Sequence, residues 1–392
     1  MSVPVVTVEI AFATDPGDTP TWTDVSDYVR GVSIRRGRQH ELARMEAGTC
    51  TLTLDNRDRR FDPANTGSPY SPNVIPMRRV RVSAVWDSTP YYLFTGFIEA
   101  WPQDWPDGTF GDALAQVEAV DGFKVLAMVK VSGSYPEELS SARATRVLDA
   151  ISWPAADRNI ETGQSDVQAA TVADKALEHL QKVEEAENGL VFIDGQGRLT
   201  FHGRHHRILN QSASQGTFGD AFDGTELPYL GLTPSYDDSE IWNDVRITRE
   251  GGTEQQAQDT DSQTKYLRRT LETTGVLITT DAEALHAAQW KLGIYREPGI
   301  RFEALSVDGH MDDNLWPLVL GLEFGDRITV RRRPPGGGDA LERDCHVEGV
   351  QHDISREEWQ TTWQLSPASP YAWWVLGDAE NSQLGVTTRL AY

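Results

Sequence analysis

The chain has 392 residues, of which 39% are hydrophobic, and it carries a formal net charge of −23. A chain of this length exceeds one ordinary core and is expected to divide into about two to four domains. The acidic excess argues against general binding to nucleic acid or to anionic membranes. No apolar run reaches the roughly 20 residues of a membrane span, and the N-terminus lacks a secretory signal. We therefore expect a protein that is made in a cytoplasm and does not insert into a membrane.

The first third of the chain alternates apolar and polar residues in the manner of half-buried strands. Examples are VTVEIAF from Val6, TCTLTL from Thr49 and RVRVSAVW from Arg79. Many short strands separated by Gly and Pro are typical of a barrel or a sandwich. Residues 1–127 are therefore predicted to form an N-terminal β-barrel domain.

The middle of the chain has helical patterns and one strong hairpin signal. Ser140 or Ser141 is predicted to cap a helix through ARATRVLDAIS, and a second helix through TVADKALEHLQKVEEAE is predicted to end at Asn188. Asp194 and Gly195 separate two alternating runs, as the residues of a tight hairpin turn do. Residues 128–222 are predicted to form an α+β domain with two helices and a hairpin.

Strand patterns resume in the last part of the chain. The polar stretch GTEQQAQDTDSQTKY predicts a loop, and Asp281 is predicted to cap a helix that ends at Tyr295. Residues 223–370 are predicted to form a second β-barrel domain with a loop and a helix inserted at about 250–300, and 371–392 a C-terminal extension. The predicted fold class is α+β and mainly β, with two β-barrel domains and smaller α+β domains.

The two β-rich ends share an order of pieces: a strand, a turn, an apolar-x-Gly-apolar strand, a tryptophan-bearing turn and a returning strand. In the first end a strand at Arg79 leads to LFTGFIEAWPQDW, and in the second a strand at Arg327 leads to CHVEGVQHDISREEW. Since any two barrels share alternation, an internal duplication and two independent barrels both stay open.

Three histidines in FHGRHHR are the strongest candidates for a metal site. His202 and His206 would share one face of a strand, as paired ligands do. Arg204 and Arg207 would repel a cation, however, and no carboxylate lies close in sequence. We therefore predict a solvated polar strand face around His202, His205 and His206, and no metal or cofactor.

Catalytic signals are weak. Cys50 and Cys345 lie inside strand patterns and are predicted to be core residues. Cys345 and His346 could suggest an activated thiolate, but adjacent residues of a strand point to opposite faces. No phosphate-binding loop precedes a helix, and the carboxylates are scattered. The sequence therefore predicts a protein that is not an enzyme.

Arginine clusters stand out in so acidic a chain. They comprise Arg35, Arg36 and Arg38; Arg78, Arg79 and Arg81; and Arg331, Arg332 and Arg333. Such residues can protect strand edges from aggregation, or they can meet acidic surfaces of neighbouring subunits and set their orientation. We favour contacts between subunits.

The stretch NRDRRFDPANTGSPY follows the strand TCTLTL and combines arginines with aspartates, so its charges cancel. Its Pro, Asn and Gly residues predict an ordered loop. Phe61 is predicted to turn inward as an anchor while Asp–Arg hydrogen bonds hold the rest. We expect this loop to pack against an adjacent subunit or another protein.

The order of these pieces resembles the minor tail proteins of siphophages, the phages with long non-contractile tails, particularly those of actinobacterial hosts. The resemblance lies in WTDVSDYV, the basic turn, GTCTLTLDN, the RFDPAN loop, SPY and the arginine-flanked strand. It continues through GLVFIDGQGRLTF, IWNDVRI, the helix that ends at Tyr295 and the closing WWVLGDAENSQLG. These motifs are structural and extend over nearly the whole chain.

The resemblance implies a protein similar to the baseplate hub family, whose subunits contain two related β-barrel domains and two α+β domains. Three such subunits form a ring of six barrels, which fits a six-fold tail tube to a three-fold tip. The implied protein is a homotrimeric virion hub at the tail tip, made in the host bacterial cytoplasm. Its implied partners are distal tail and tail tube proteins, the tape measure protein and other tail-tip proteins, while phage DNA passes without specific binding.

Three alternatives stay open on the sequence. One is a hexameric distal tail ring protein, and another is a tail enzyme that degrades cell wall or glycan. The third is a glycan-binding tail protein, in which exposed tryptophans would stack on sugar rings. The candidates for that role are Trp101, Trp105, Trp373 and Trp374.

Overall fold

A computed structural model describes residues 3–106, 111–209, 213–221 and 223–368. The first part of the chain is built of strands. These are β1 (Val5–Ala11), β2 (Thr23–Asp24), β3 (Val29–Gly37), β4 (Glu46–Asp55), β5 (Arg79–Trp86), β6 (Thr89–Ala100), β7 (Gln103–Asp104) and β8 (Leu114–Val120). We call this set the N-terminal sheet half.

The middle part mixes short strands with helices. It contains α1 (Phe123–Met128), β9 (Gly133–Tyr135), β10 (Glu138–Leu139), α2 (Ser140–Ala150), β11 (Arg158–Ile160), β12 (Asp166–Val167), β13 (Ala170–Val172), α3 (Ala176–Glu187), β14 (Leu190–Ile193), β15 (Leu199–His202), α4 (His206–Leu209) and β16 (Thr217–Phe218). The predicted helices are present as α2 and α3, and the predicted hairpin is confirmed in β14 and β15. The second helix begins five residues later than predicted, because Thr171 and Val172 belong to β13.

The last part returns to strands around one long helix. Its elements are β17 (Gly231–Ser235), β18 (Asp244–Arg249), β19 (Gln255–Gln258), α5 (Thr260–Tyr266), β20 (Thr270–Val276), α6 (Asp281–Tyr295), β21 (Arg301–Asp308), α7 (Trp316–Gly321), β22 (Arg327–Arg332), β23 (Leu341–Ser355) and β24 (Trp359–Pro367). We call β17 and β21–β24 the C-terminal sheet half. Strands β18–β20 form a separate sheet on which α6 packs.

The two sheet halves form one continuous sheet. Its strand order is β17-β21-β24-β23-β3-β4-β8-β6-β5-β1-β2, and β3 and β23 are the antiparallel neighbours at which the halves meet. Both halves contain an antiparallel meander, β5-β6-β8 in one and β22-β23-β24 in the other. The predicted fold class, α+β and mainly β, is confirmed. The pairing of β3 with β23, which joins the two halves into one sheet, is not predicted from the sequence.

A single cluster of buried apolar side chains runs through all three parts of the chain. It includes Leu52 and Val82 in the N-terminal sheet half, Phe192 in the middle part, and Trp316 and Trp363 in the last part. Because the core is continuous, the three parts support one another. The predicted division at residues 127, 222 and 370 stays a prediction.

The ends of the predicted helices differ from expectation in two places. Neither predicted serine caps α2, because Leu139 holds the cap position and Ser140 instead donates a hydrogen bond to Glu187 at 2.7 Å. Helix α6 is capped by Thr280, whose side chain accepts from the Glu283 backbone, so the cap predicted at Asp281 is wrong by one residue. The predicted end of α3 is confirmed, since Asn188 lies in the left-handed region.

The polar stretch 252–266 is not the predicted loop. Its residues form β19 and α5, and the Asp259 side chain caps α5 by accepting from the Ser262 backbone at 2.9 Å. Ser262 is buried and accepts a hydrogen bond from Asn243. Side-chain hydrogen bonds to distant residues therefore order a segment that has few apolar residues.

The predicted C-terminal extension at 371–392 lies outside the described residues, as do Trp373 and Trp374. None of the helices in the described part of the chain has the length and apolar character of a membrane span.

Candidate functional site

The junction between the sheet halves contains a buried polar site. Strand pairing there runs from Gly37 opposite Gly349 to Gly31 opposite Ser355. Gly37 has a φ of +98°, and a Cβ atom at this position would lie 2.4 Å from the Glu348 carbonyl oxygen. Only glycine combines this backbone with so close an approach of the two strands.

Glu348 lies at this junction with its side chain fully buried. Arg38 donates to its carboxylate at 2.7 Å, Arg207 at 2.8 Å and the Ser366 hydroxyl at 2.5 Å. Burial raises the pKa of Glu348, but the two arginines and the serine outweigh burial and lower the pKa to about 2. One carboxylate therefore connects residues from the N-terminal sheet half, the middle part and the C-terminal sheet half.

Arg36 is a second connection across the same region. Its side chain is 5% exposed, pairs with Glu323 at 3.0 Å and lies over the Phe324 ring at 5.2 Å. Its guanidinium also donates to the Ile193 carbonyl oxygen at 3.4 Å. The residues around Glu348 and Arg36 thus fix the orientation of the three parts within one subunit.

The predicted interface arginines all have acidic partners within the same chain. The nearest pairs are Arg35–Glu46, Arg36–Glu323, Arg38–Glu348, Arg78–Asp15, Arg79–Asp157, Arg81–Glu9, Arg331–Glu342, Arg332–Asp220 and Arg333–Glu226. Arg78 is buried and also donates to the Thr14 carbonyl oxygen at 2.6 Å. Contacts of these arginines with neighbouring subunits stay a prediction, and Arg35, with a side chain 54% exposed, is the most accessible of the first two clusters.

Phe61 turns inward as predicted and is fully buried. Its ring packs against Tyr28, Tyr70 and Trp101, with centroid distances of 5.7, 5.6 and 6.4 Å. The Phe61 backbone N–H donates to the Asn56 side chain at 2.9 Å. Phe61 is therefore an anchor inside its own subunit, and any contact with another subunit falls to the exposed part of the loop.

The predicted Asp–Arg hydrogen bonds within the loop are confirmed. Arg59 donates to Asp62 at 2.7 Å, and Arg60 donates to Asp58 at 2.7 Å while lying over the Tyr28 ring. The Ser68 hydroxyl donates to the Arg60 carbonyl oxygen at 2.5 Å. Side chains at both ends therefore hold the loop, and its tip at 63–67 is mostly exposed.

The histidines do not form the predicted solvated strand face. Strand β15 ends at the buried His202, and His206 begins α4, so the chain turns between them. Their rings nevertheless stack with centroids 3.5 Å apart, and Glu161 approaches the His206 Nδ1 atom at 2.7 Å. A carboxylate distant in sequence thus joins the two histidines.

The remaining candidates are the two cysteines and the tryptophans proposed to bind sugars. Cys50 and Cys345 are buried core residues, as predicted, and burial raises the pKa of the Cys345 thiol to about 12. Trp105 is 67% exposed, but Trp101 is buried and donates to the Ile75 carbonyl oxygen at 3.0 Å. Trp101 therefore offers no ring to a sugar.

The accessible arginine gives a test of the predicted subunit contacts. The exposed pair Arg35–Glu46 contributes little to folding, so Arg35→Glu is expected to change the unfolding free energy by less than about 0.5 kcal/mol. The same variant is expected to weaken assembly, more strongly at low salt, where charge repulsion is less screened.

Sedimentation at two salt concentrations measures this effect. Arg44→Glu is the matched control, because Arg44 is exposed and lies outside the clusters. Equal assembly of the two variants would identify Arg35 as a solvated edge residue.

Comparison with known proteins shows which fold the chain shares. No protein-family model matches the sequence, and no curated protein matches it. Among solved structures, it is similar to a tail protein from Neisseria meningitidis MC58, with a TM-score of 0.61 and 14% identity, covering 92% of this chain and 96% of that chain. It is also similar to a 43 kDa tail protein of prophage MuSo2 from Shewanella oneidensis, with a TM-score of 0.59 and 12% identity, covering 94% and 98%.

A third similar structure is the prophage tail protein gp18 from Listeria monocytogenes EGD-e, with a TM-score of 0.50, 10% identity and coverage of 92% and 94%. At these identities the likeness concerns the fold, and it extends over nearly the full length of each protein. The chain therefore has the fold of phage tail proteins.

Proposed function

We propose that the chain is a structural subunit of a phage tail, placed at the tail tip of a siphophage as a homotrimeric hub. The observation that carries this proposal is the end-to-end likeness to phage tail proteins, which covers 92% of this chain and 96% of the Neisseria meningitidis protein. The sequence resemblance to minor tail proteins of actinobacterial phages supports the same assignment.

The arrangement of strands gives a physical reason for three copies. Each subunit contributes two meanders, β5-β6-β8 and β22-β23-β24, in one sheet. Three subunits would present six such units, so the upper face could match a six-fold tube while the subunits themselves match a three-fold tip. Rigid connection of the two halves through Glu348 and Arg36 would keep the six units in a ring.

The proposed partners follow from this position. They are distal tail and tail tube proteins on one side, and the tape measure protein and other tail-tip proteins within and below the ring. A net charge of −23 per subunit would let DNA pass through the channel without adhering to it.

We also propose that the role is not enzymatic. The Cys345 side chain is buried with its pKa raised to about 12, so it stays protonated and unreactive. His346 is buried beside it but directs Nδ1 to the Gly325 carbonyl oxygen at 2.8 Å. Turnover of purified host envelope or glycan by the protein would contradict this proposal, and binding without turnover would favour the glycan-binding alternative.

Imaging of intact tails at subunit resolution tests the proposed assembly. We expect three copies in a ring at the tail tip, with the N-terminal and C-terminal sheet halves alternating around the axis. Six copies in a ring above the tip would instead identify a distal tail ring protein, and a location away from the tail would overturn both.

The exposed loop tip provides a genetic test. Replacing residues 63–67 with Gly and Ser should spare the subunit, because the buried Asp62 and Ser68 that hold the loop remain. The yield of infectious particles is expected to fall, since a flexible tip loses its ordered contact surface. Normal tails and a normal yield of infectious particles from this variant would show that the loop only connects β4 to β5 and makes no contact needed for assembly.

A further inference from the structure

We propose that Glu161, His202 and His206 form a binding site for a divalent transition-metal ion of the zinc class. One ligand atom from each of these side chains lies within 4.8 Å of the other two. Imidazole nitrogens with a carboxylate oxygen are a common ligand set for Zn²⁺. This inference does not depend on the proposed role in a phage tail.

The fold brings the three residues together through its backbone. Strand β11 pairs in parallel with β15, so Glu161 follows Ile160 directly beside Phe201 and His202. The Glu161 backbone N–H donates to the Phe201 carbonyl oxygen at 3.0 Å, and the Gly203 backbone N–H donates to the Glu161 carboxylate at 3.2 Å. The carboxylate is therefore held at the point where the chain leaves β15 and turns toward His206.

His202 gives the second, independent indication of a ligand. The residue is 8% exposed, and its buried Nδ1 atom has no hydrogen-bond partner. Buried polar atoms in native proteins are nearly always paired, so an unpaired one calls for an occupant.

The two neighbouring arginines are each close to a buried carboxylate. Arg204 lies 3.5 Å from the buried carboxylate of Glu187, and Arg207 pairs with Glu348 at 2.8 Å. These two arginines oppose a cation when the sequence is considered alone, and their carboxylate partners offset part of that repulsion, although the charge of Arg207 still acts on His202. As a ligand, the Glu161 carboxylate would also contribute negative charge toward the ion.

The site opens onto a cavity that can supply further oxygen ligands. This cavity has a volume of about 150 Å³ and is lined by His202, His206, Glu41 and Glu184, among others. Burial raises the pKa of both Glu41 and Glu184 to about 7, so a nearby cation would favour their ionised forms. A cavity of this size also accommodates water molecules to complete a tetrahedral shell.

Binding requires a small local rearrangement. Ligand atoms around Zn²⁺ lie about 2 Å from the ion and hence about 3.3 Å from one another. The two imidazole rings now stack almost parallel, with an angle of 10° between their planes. Rotation of the rings out of this stack would direct their nitrogens toward one point and shorten the separation from the present limit of 4.8 Å.

Calorimetric titration of the untagged, chelator-treated full chain with Zn²⁺ tests the proposal. We expect about one ion per subunit, with binding weakened at least about tenfold by Glu161→Gln and by His206→Gln. His310→Ala is the matched control, because His310 pairs with Asp308 at 2.8 Å outside the cluster, and it should bind as the unaltered protein does. Absence of saturable binding, or equal binding by all variants, would overturn the proposal.

The visible spectrum of bound Co²⁺ gives a test that needs no substitution. The intense bands of a tetrahedral Co²⁺ ion in the unaltered protein would support the site, whereas the weak bands of hydrated Co²⁺ alone would overturn it. Thermal unfolding of each metal-free variant shows whether weaker binding reflects the lost ligand or a lost fold, and a misfolded variant leaves the decision to the Co²⁺ spectrum.

Discussion

Glu348→Gln is expected to lower the free energy of unfolding by about 3 to 5 kcal/mol, the usual cost of breaking a buried ion pair from one side. The substitution keeps the size of the side chain but removes its charge. Arg38 and Arg207, with side chains 10% and 8% exposed, would then keep their positive charges in a buried region without the carboxylate that stabilises them. Since Glu348 connects all three parts of the chain, the loss should affect global unfolding.

Urea unfolding followed by circular dichroism measures this loss, with Glu357→Gln as the control. Glu357 is exposed and lies nine residues further along the chain, so the same chemical change there should shift the unfolding free energy by less than about 0.5 kcal/mol. Equal unfolding midpoints for the two variants would show that the junction contributes no net stability.

The pH dependence of the difference in unfolding free energy between the unaltered protein and Glu348→Gln tests the role of the Glu348 charge. The pKa of Glu348 falls from 4.5 in a free side chain to about 2 in the fold. A lowered pKa means that the folded state holds the proton less tightly, so the stabilisation is complete above about pH 5 and declines between about pH 5 and pH 2. The stability difference between the unaltered protein and Glu348→Gln should shrink over that interval.

Local signals in the sequence are sufficient for the hairpin β14–β15 and for helix α6. The turn at Asp194 and Gly195 predicts the hairpin β14–β15 because both of its strands are adjacent in sequence. Helix α6 is predictable because its first turn is acidic and its buried residues Ala284, Ala288 and Tyr295 lie four and seven positions apart, although the cap residue is Thr280. Errors of one residue are expected where Thr and Asp, both good caps, stand side by side.

Long-range polar contacts cannot be predicted from one sequence. Arg38 and Glu348 are 310 residues apart, and Glu161 and His206 are 45 apart. The position of Glu348 does carry a weak signal, since it is a lone carboxylate between apolar residues and next to the glycine at the strand junction. Segment 252–266 carries no such signal, because its order depends on the buried Ser262 and Asn243.

The arginine clusters show what charge patterning in the sequence predicts and what only the structure adds. Clustered arginines in an acidic chain correctly indicate residues that need acidic partners. The sequence pattern alone does not say whether those partners lie in the same subunit. Arg36 and Arg78 are buried against acidic residues of their own chain, so they act first as internal connections. A double substitution of Arg78 and Arg79 would therefore disturb folding, and Arg35 is the cleaner probe of assembly.

Phe61→Ala is expected to lower the free energy of unfolding by about 3 to 5 kcal/mol, the usual cost of removing a phenyl ring from a core. Phe61 is fully buried and its ring contacts those of Tyr28, Tyr70 and Trp101. Its removal leaves a cavity that the aromatic neighbours cannot readily fill, because hydrogen bonds fix Trp101 at Ile75 and the loop backbone at Asn56.

Chemical unfolding of Phe61→Ala, compared with that of the separate variant Trp105→Ala, distinguishes the loss of a buried ring from the loss of any aromatic ring. Trp105 is 67% exposed, so its substitution should change the unfolding free energy by less than about 0.5 kcal/mol. Phe61→Leu should recover most of the loss, since a branched apolar side chain refills much of the cavity. If Phe61→Ala and Trp105→Ala have equal free energies of unfolding, the Phe61 ring does not anchor the loop. The order of residues 63–67 must then depend on the Asp–Arg pairs alone.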